Sequence, residues 1–156
     1  MNADRAMRDL SNNLLHADIT DRVLKTFYDV YNELGGGFLE SVYHSALSIA
    51  LRESGLDVAS QVPVPVHFRG VVIGDFRADL TVNGRVLLEL KAVSSIDPAH
   101  EGQLLHYLRA TDYEVGILLN FGPKPQFKRI VLENRNKKIR VYPRESAVDL
   151  VVEVPR

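Results

Sequence analysis

No cysteine occurs among the 156 residues, so no disulfide can staple this chain. None is needed at this length, because a domain of about 150 residues buries roughly 70% of its unfolded surface on folding. Long apolar runs are missing as well, and none approaches the 20 or so residues that cross a bilayer. Residues 1–13 are polar and charged, without the apolar core of a secretory signal. These absences make the cytoplasm the expected location and leave no expected membrane-spanning helix. His16, His44, His67, His100 and His106 show no H-x-x-x-H or H-E-x-x-H spacing, which argues against a zinc site. The Gly35-Gly36-Gly37 run lacks the lysine with which a phosphate-binding loop grips a nucleotide. With 19 Lys and Arg against 20 Asp and Glu, the surface as a whole carries no excess of one sign. Neither repeat, linker nor low-complexity tract breaks the chain, which therefore reads as one domain over residues 1–156.

The stretch that organises the rest is residues 75–92, D-F-R-A-D-L-T-V-N-G-R-V-L-L-E-L-K-A. Two apolar-rich arms flank Asn83-Gly84, the strongest short-range hairpin signal. On the second arm Glu89 and Lys91 stand among Leu87, Leu88, Leu90 and Ala92, a pattern expected of a strand covered on both faces. A carboxylate and an ammonium buried there unpaired cost several kcal/mol, so they require each other, a metal or a cleft. The turn decides whether Asp79 joins them. A two-residue loop would set Asp79 opposite Leu88 and send the carboxylates to opposite faces. A three-residue loop, Asn83-Gly84-Arg85 with one left-handed residue, sets Asp79 opposite Glu89 and Arg77 opposite Lys91. The odd-length loop, or an equivalent bulge, is the expectation.

Two convergent carboxylates suit Mg²⁺, or Mn²⁺, which take hard oxygen ligands and share the remaining positions with water and substrate phosphate. Such a site fits phosphodiester hydrolysis, with the Lys91 ammonium stabilising developing charge or positioning water.

In chain order, Ile19, Val23, Phe27, Val30, Tyr31 and Leu34 recur at helical spacing, with Asp18 or Thr20 as cap and Gly35 to Gly37 as stop. A second helix is expected from near Phe38 to a C′ glycine at Gly55. Glu40 falls in its first turn, where the helix dipole favours an acid in any case. Residues 58–68 alternate as a strand, and Pro63 and Pro65 make it an edge strand. Asp97-Pro98 reads as N-cap and N1 of a third helix that carries Gln103 and Tyr107 on one face. Residues 114–120 read as a central strand and residues 127–133 as another, followed by a polar turn at residues 134–136. Residues 138–142 are expected to pair back, and residues 148–154 are β-prone. The order α-α-β-β-β-α-β-β implies a mixed-sheet α/β (α+β) domain with one β-α-β crossover. Between residues 124 and 144, eight Lys and Arg face Glu133 alone, which fits either a phosphate-following surface or a solvated edge.

Taken together, Asp79, Glu89-Leu90-Lys91 and the Gln103-x-x-x-Tyr107 helix resemble the PD-(D/E)XK nuclease superfamily, whose core is that of the restriction endonucleases. Gly37-Phe38-Leu39-Glu40-Ser41-Val42-Tyr43 matches the Gly-x-x-Glu-x-x-Tyr signature of the GxxExxY family within it. The resemblance covers about residues 14–132 and leaves residues 133–156 as a basic extension. Ala78 stands where the superfamily's name has proline. The resemblance implies a Mg²⁺-dependent nuclease acting on nucleic acid, DNA foremost. Asp79, Glu89, Glu40 and the Leu90 backbone carbonyl would be metal ligands and Lys91 the catalytic lysine. Gln103 and Tyr107 would contact substrate phosphate, and Tyr43 would pack behind Glu40. Two other readings compete: the same fold as a binding module for nucleic acid or a protein partner without useful hydrolysis, and a structural ion-pair network of Asp79, Glu89 and Lys91. A homodimer is one way for so small a nuclease to engage both strands.

Overall fold

A computed structural model describes Ala3 and residues 15–137. Its elements follow the order α1 (Ala17–Leu34), α2 (Glu40–Glu53), β1 (Val58–Phe68), β2 (Val71–Val82), β3 (Val86–Lys91), α3 (Pro98–Ala110), β4 (Val115–Phe121) and β5 (Pro125–Val131), ending in a 3₁₀ turn, Asn134–Asn136. The five strands form one sheet in chain order. All neighbours are antiparallel except β3 and β4, which run parallel and are joined by α3, as the crossover requires.

The register of the central hairpin agrees with the odd-length expectation. Val82 pairs with Val86 and Leu80 with Leu88, so three residues turn the chain and the next rung sets Asp79 against Glu89. Two residues of the loop are left-handed rather than one, Asn83 at φ 53° and Gly84 at φ 61°. They let the Arg85 N–H reach the Val82 carbonyl at 3.0 Å.

β3 and β4 are covered on both faces. Leu80, Val82, Val86, Leu88, Leu90, Ile117, Leu119 and Phe121 pack with Val23, Phe27, Tyr43 and Leu47 of α1 and α2. On the other face Leu87, Leu118, Val64 and Ala78 pack with Leu104, Tyr107 and Leu108 of α3. Alternation along β2 breaks at Asp79: Ala78 and Leu80 are two residues apart yet lie in opposite cores. β1 breaks at the facing position, where Val58 and Val62 also part company and Gln61 is left-handed at φ 52°. A non-glycine residue there carries about 1–2 kcal/mol of strain. The rung between Ser60↔Leu80 and Val62↔Ala78 is absent from the ladder, so Asp79 sits at an interruption in both strands.

Several boundaries differ from expectation. α1 starts at Ala17, after His16 at φ 55°, with the Thr20 N–H on the His16 carbonyl; Asp18 and Thr20 lie inside the first turn and cap nothing. α2 begins at Glu40 rather than near Phe38, because the Tyr43 hydroxyl holds the preceding segment as a loop. β2 reaches back to Val71, since Arg69-Gly70 at φ 50° and 79° closes a tight turn directly after Phe68. β5 is displaced toward Pro125, because the turn after Phe121 takes only three residues. Gly55 does end α2: it is left-handed at φ 87°, its N–H meets the Arg52 carbonyl, and the Leu56 N–H meets that of Leu51. β1 is an edge strand, as its prolines demand. The pairing expected of residues 138–142 and the strand expected at residues 148–154 lie outside the described residues.

Candidate active site

The β2–β3 backbone ladder stops at Leu80↔Leu88, and side chains continue it. Glu89 Oε1 accepts from the Asp79 N–H at 3.1 Å, and Asp79 Oδ2 accepts from the Leu90 N–H at 2.8 Å. Each carboxylate thus replaces a backbone carbonyl of the opposing strand, which fixes both groups on one rung. Glu89 is only 3% exposed. Burial, and then the Asp79 charge beside it, push its pKa up to about 8; the Asp79 N–H and Lys91 pull the other way without prevailing. A carboxylate pair so short of positive charge is an arrangement that a nearby cation would stabilise.

Lys91 ends β3, half-buried. Its ammonium acts on both Glu89 and Glu40, yet among the described residues it closes no ion pair with either. That gap speaks against the structural network of Asp79, Glu89 and Lys91. Glu40 is the first residue of α2 and is exposed to solvent. Partial burial of its carboxyl raises its proton affinity and Asp79 adds to this, while Lys91, His100 and His44 oppose. Asp79, Glu89 and Glu40 therefore share one electrostatic neighbourhood. Among the described residues no three His, Asp or Glu side chains form a closed metal cluster, so the direct pair is Asp79 with Glu89 and Glu40 stands apart from it. As hard oxygen donors with an unneutralised charge, the pair fits a divalent cation.

The Gly-x-x-Glu-x-x-Tyr spacing has a structural account. Tyr43 stacks on Phe121 with centroids 4.4 Å apart. Its hydroxyl accepts from the Phe38 N–H at 3.2 Å and donates to the Gly35 carbonyl at 2.6 Å. Gly37, left-handed at φ 98°, completes the turn that delivers Glu40. The expected packing role of Tyr43 holds, and its hydroxyl additionally clasps the loop.

On α3 the Gln103 Nε2–H donates to the Tyr107 hydroxyl at 2.9 Å. Burial raises the Tyr107 pKa, and the charges of Glu89 and Asp79 raise it further, which sets the phenol beside the carboxylate pair. Gln103 is exposed and Tyr107 buried.

Two residues at the site escape sequence reasoning. His44 Nε2 lies 3.1 Å from the Asp79 carbonyl; a carbonyl only accepts, so Nε2 carries the proton and pins β2 at its interruption. Its one signal is the spacing of four from Glu40, which places both on one helix face. Asn120, wholly buried, accepts from the Val93 N–H and donates to the Val93 carbonyl, both at 3.0 Å. The β3–β4 ladder ends at Lys91↔Asn120, and this amide extends it past the lysine.

The sequence profile of the PD-(D/E)XK nuclease superfamily matches residues 17–130. Among solved structures, the crystal structure of SSO0001 is similar over 70% of this chain and 54% of its own, at 20% identity and a TM-score of 0.49. The chain thus spans about half the length of that protein. No curated protein matches.

Proposed function

We propose that this chain, which belongs to the PD-(D/E)XK nuclease superfamily, is a divalent-cation-dependent nuclease of the GxxExxY branch that hydrolyses phosphodiester bonds, with DNA as its first substrate. The observation that carries the reading is the Asp79–Glu89 rung: two carboxylates held by each other's strand, deficient in positive charge, with an ammonium at the strand end that closes no ion pair among the described residues. Asp79 and Glu89, with Glu40 and the Leu90 carbonyl, would hold Mg²⁺ or Mn²⁺. When bound, the cation supplies Lewis-acid polarisation of a phosphoryl oxygen and lowers the pKa of water.

The other steps belong to the chain's own groups. The Lys91 ammonium, which pairs with no carboxylate among the described residues, would stabilise charge developing on the phosphoryl group. Glu40, open to solvent at the start of α2, would complete the cation's ligand set and accept a hydrogen bond from the attacking water. The Tyr107 hydroxyl receives its hydrogen bond from Gln103, which leaves its own proton free for a phosphate oxygen.

Cleavage of single- and double-stranded DNA and of RNA in Mg²⁺ and Mn²⁺ tests the reading. Wild type should cut at least one of them, and Lys91→Ala should lose activity by 100-fold or more without unfolding. Hydrolysis that survives Lys91→Ala, or that proceeds fully in a chelator, would refute it. Binding without hydrolysis would select the binding-module reading instead.

A further inference from the structure

β1 and β2 continue past the candidate site as a two-stranded arm. β3 ends at Lys91, and the chain then turns toward β4, where Asn120 holds Val93. β2 runs antiparallel to β3 and extends from Asp79 back to Val71 with β1 as its one strand partner among the described residues. At about 3.3 Å per residue, this length carries the ribbon roughly 25 Å from the carboxylate rung, on the side where β3 stops and Lys91 lies.

The root of the arm is fixed and its end is bare. Phe76 packs edge-on against His106 with centroids 5.6 Å apart and lies 6.1 Å from Tyr107, so the ribbon leaves the body against α3. A Cβ on Gly74 would lie 2.7 Å from the Phe76 ring, and glycine is what lets that ring fold back there. Beyond it, Val71, Val72 and Ile73 are each more than half exposed, and Phe68 nearly so. Successive residues of a strand point to opposite faces, so both faces of the ribbon end in apolar side chains that no layer of the described chain covers. A two-stranded ribbon left alone in this way is marginal in water. Its tip is narrow: Arg69 and Gly70, left-handed at φ 50° and 79°, close the turn, and the Arg69 guanidinium lies 5.0 Å from the Phe68 ring centre.

Position and edge chemistry select what covers the arm. Pro63 and Pro65 on β1, with Asp75 and Arg77 on β2, are what strand edges carry when no further strand pairs with them, which argues against a peptide or a second copy adding to the ribbon. A nucleic acid with a phosphate at the Asp79–Glu89 rung, by contrast, runs on beside the arm. The major groove of B-form DNA, about 12 Å wide, admits a two-stranded ribbon and offers thymine methyl groups to apolar side chains. The major groove of A-form RNA is too narrow for this, and a single strand has no groove.

We propose that the β1–β2 arm lies in the major groove of duplex DNA, with Val71, Val72 and Ile73 against the base edges and Arg69 at the tip toward the phosphates, while the strand to be cut occupies the rung. This rests on the nuclease reading above and adds to it the duplex form of the substrate.

Affinity is measured by fluorescence anisotropy in Mg²⁺ for a labelled DNA duplex, one of its strands alone and the RNA duplex of the same sequence, using the full chain with Lys91→Ala to prevent cleavage. Ile73→Asp places a charge on the bare end of the arm, and Ile49→Asp places the same charge at another exposed isoleucine, on α2. Ile73→Asp should weaken binding of duplex DNA about 10-fold or more and of the single strand less than about 3-fold, while Ile49→Asp holds both within about 3-fold. Replacing Val71, Val72 and Ile73 together by serine adds no charge and should give the same duplex-selective loss, with melting temperatures followed in parallel. The parent chain should bind duplex RNA at least about 10-fold more weakly than duplex DNA. Equal duplex affinities for Ile73→Asp and Ile49→Asp, equal losses on duplex and single strand, or RNA bound as tightly as DNA would overturn the proposal and leave the nuclease reading standing. Light scattering that finds the parent chain dimeric and Ile73→Asp monomeric would also overturn it, because a second copy would then cover the arm. Failure of the parent chain to bind any of the three nucleic acids would overturn both.

Discussion

Glu89 should make the folded chain lose stability as pH rises, and the size of the loss follows from its surroundings. Its ordinary pKa of 4.5 is pushed up to about 8 by burial and by Asp79. Between those values the unfolded chain has released this proton and the folded chain still holds it. The unfolded state then binds fewer protons, so unfolding free energy falls with pH, by at most about 1.4 kcal/mol per pH unit. The full interval sets a ceiling of about 5 kcal/mol, shared by the coupled Asp79–Glu89 pair. Glu89→Gln retains an oxygen for the Asp79 N–H and cannot ionise. In a chelator, the stability of this variant relative to wild type should grow by about 2 kcal/mol or more from pH 5 to pH 8, read from urea midpoints at unchanged slope. Taking the difference between the two chains cancels the histidines and Glu40. Lys137, whose pKa burial lowers to about 8, acts only above that pH and with the opposite sign. Saturating Mg²⁺ should remove the wild-type loss, because a cation favours the ionised pair. A pH-independent difference between the two chains would refute the electrostatic account of the site.

Asn120→Ala orphans both the N–H and the carbonyl of Val93 and should cost about 2–4 kcal/mol by urea unfolding; a loss under 1 kcal/mol would mean water replaces the amide readily. Tyr43→Phe keeps the stack on Phe121 but frees the Phe38 N–H and the Gly35 carbonyl. It should cost about 1–2 kcal/mol and lower the cleavage rate further than that destabilisation explains, since the freed loop carries Glu40; unchanged cleavage would show that the loop is fixed by other contacts.

What the sequence discloses about this fold is what local chemistry decides. Asn83-Gly84 announces its hairpin, Asp97-Pro98 its helix start, Gly55 its helix end, and Pro63 with Pro65 an edge strand, because each acts through its own backbone preference. The three-residue loop was derivable too, since only that register brings two carboxylates to one rung. By contrast, nothing marks the interruption at Gln61 and Asp79: neither residue is glycine or proline, and the change of face arises from packing against two different helix layers. Val71, Val72 and Ile73 are apolar yet exposed, because β2 extends there beyond its pairing with β3. His44 and Asn120 act through carbonyls and amides distant in sequence, which no spacing rule reveals.

The site occupies the place where the ladders of the sheet run out, and this explains why its polar residues are hard to replace singly. β3 leaves β2 after Leu88 and leaves β4 after Lys91, and each departure frees backbone groups that need partners. Glu89 and Asp79 take the N–H groups of Asp79 and Leu90, Asn120 takes both groups of Val93, and His44 takes the Asp79 carbonyl. The side chains proposed for catalysis therefore also terminate the sheet. Asp79→Ala would remove a cation ligand and orphan the Leu90 N–H together, so its loss of activity would not separate chemistry from unfolding. Asp79→Asn keeps an oxygen for Leu90 and discards the charge. If the carboxylate serves cation binding, that variant should stay folded while the Mg²⁺-dependent rise in its melting temperature disappears; a rise equal to that of wild type would remove Asp79 from the cation's ligands.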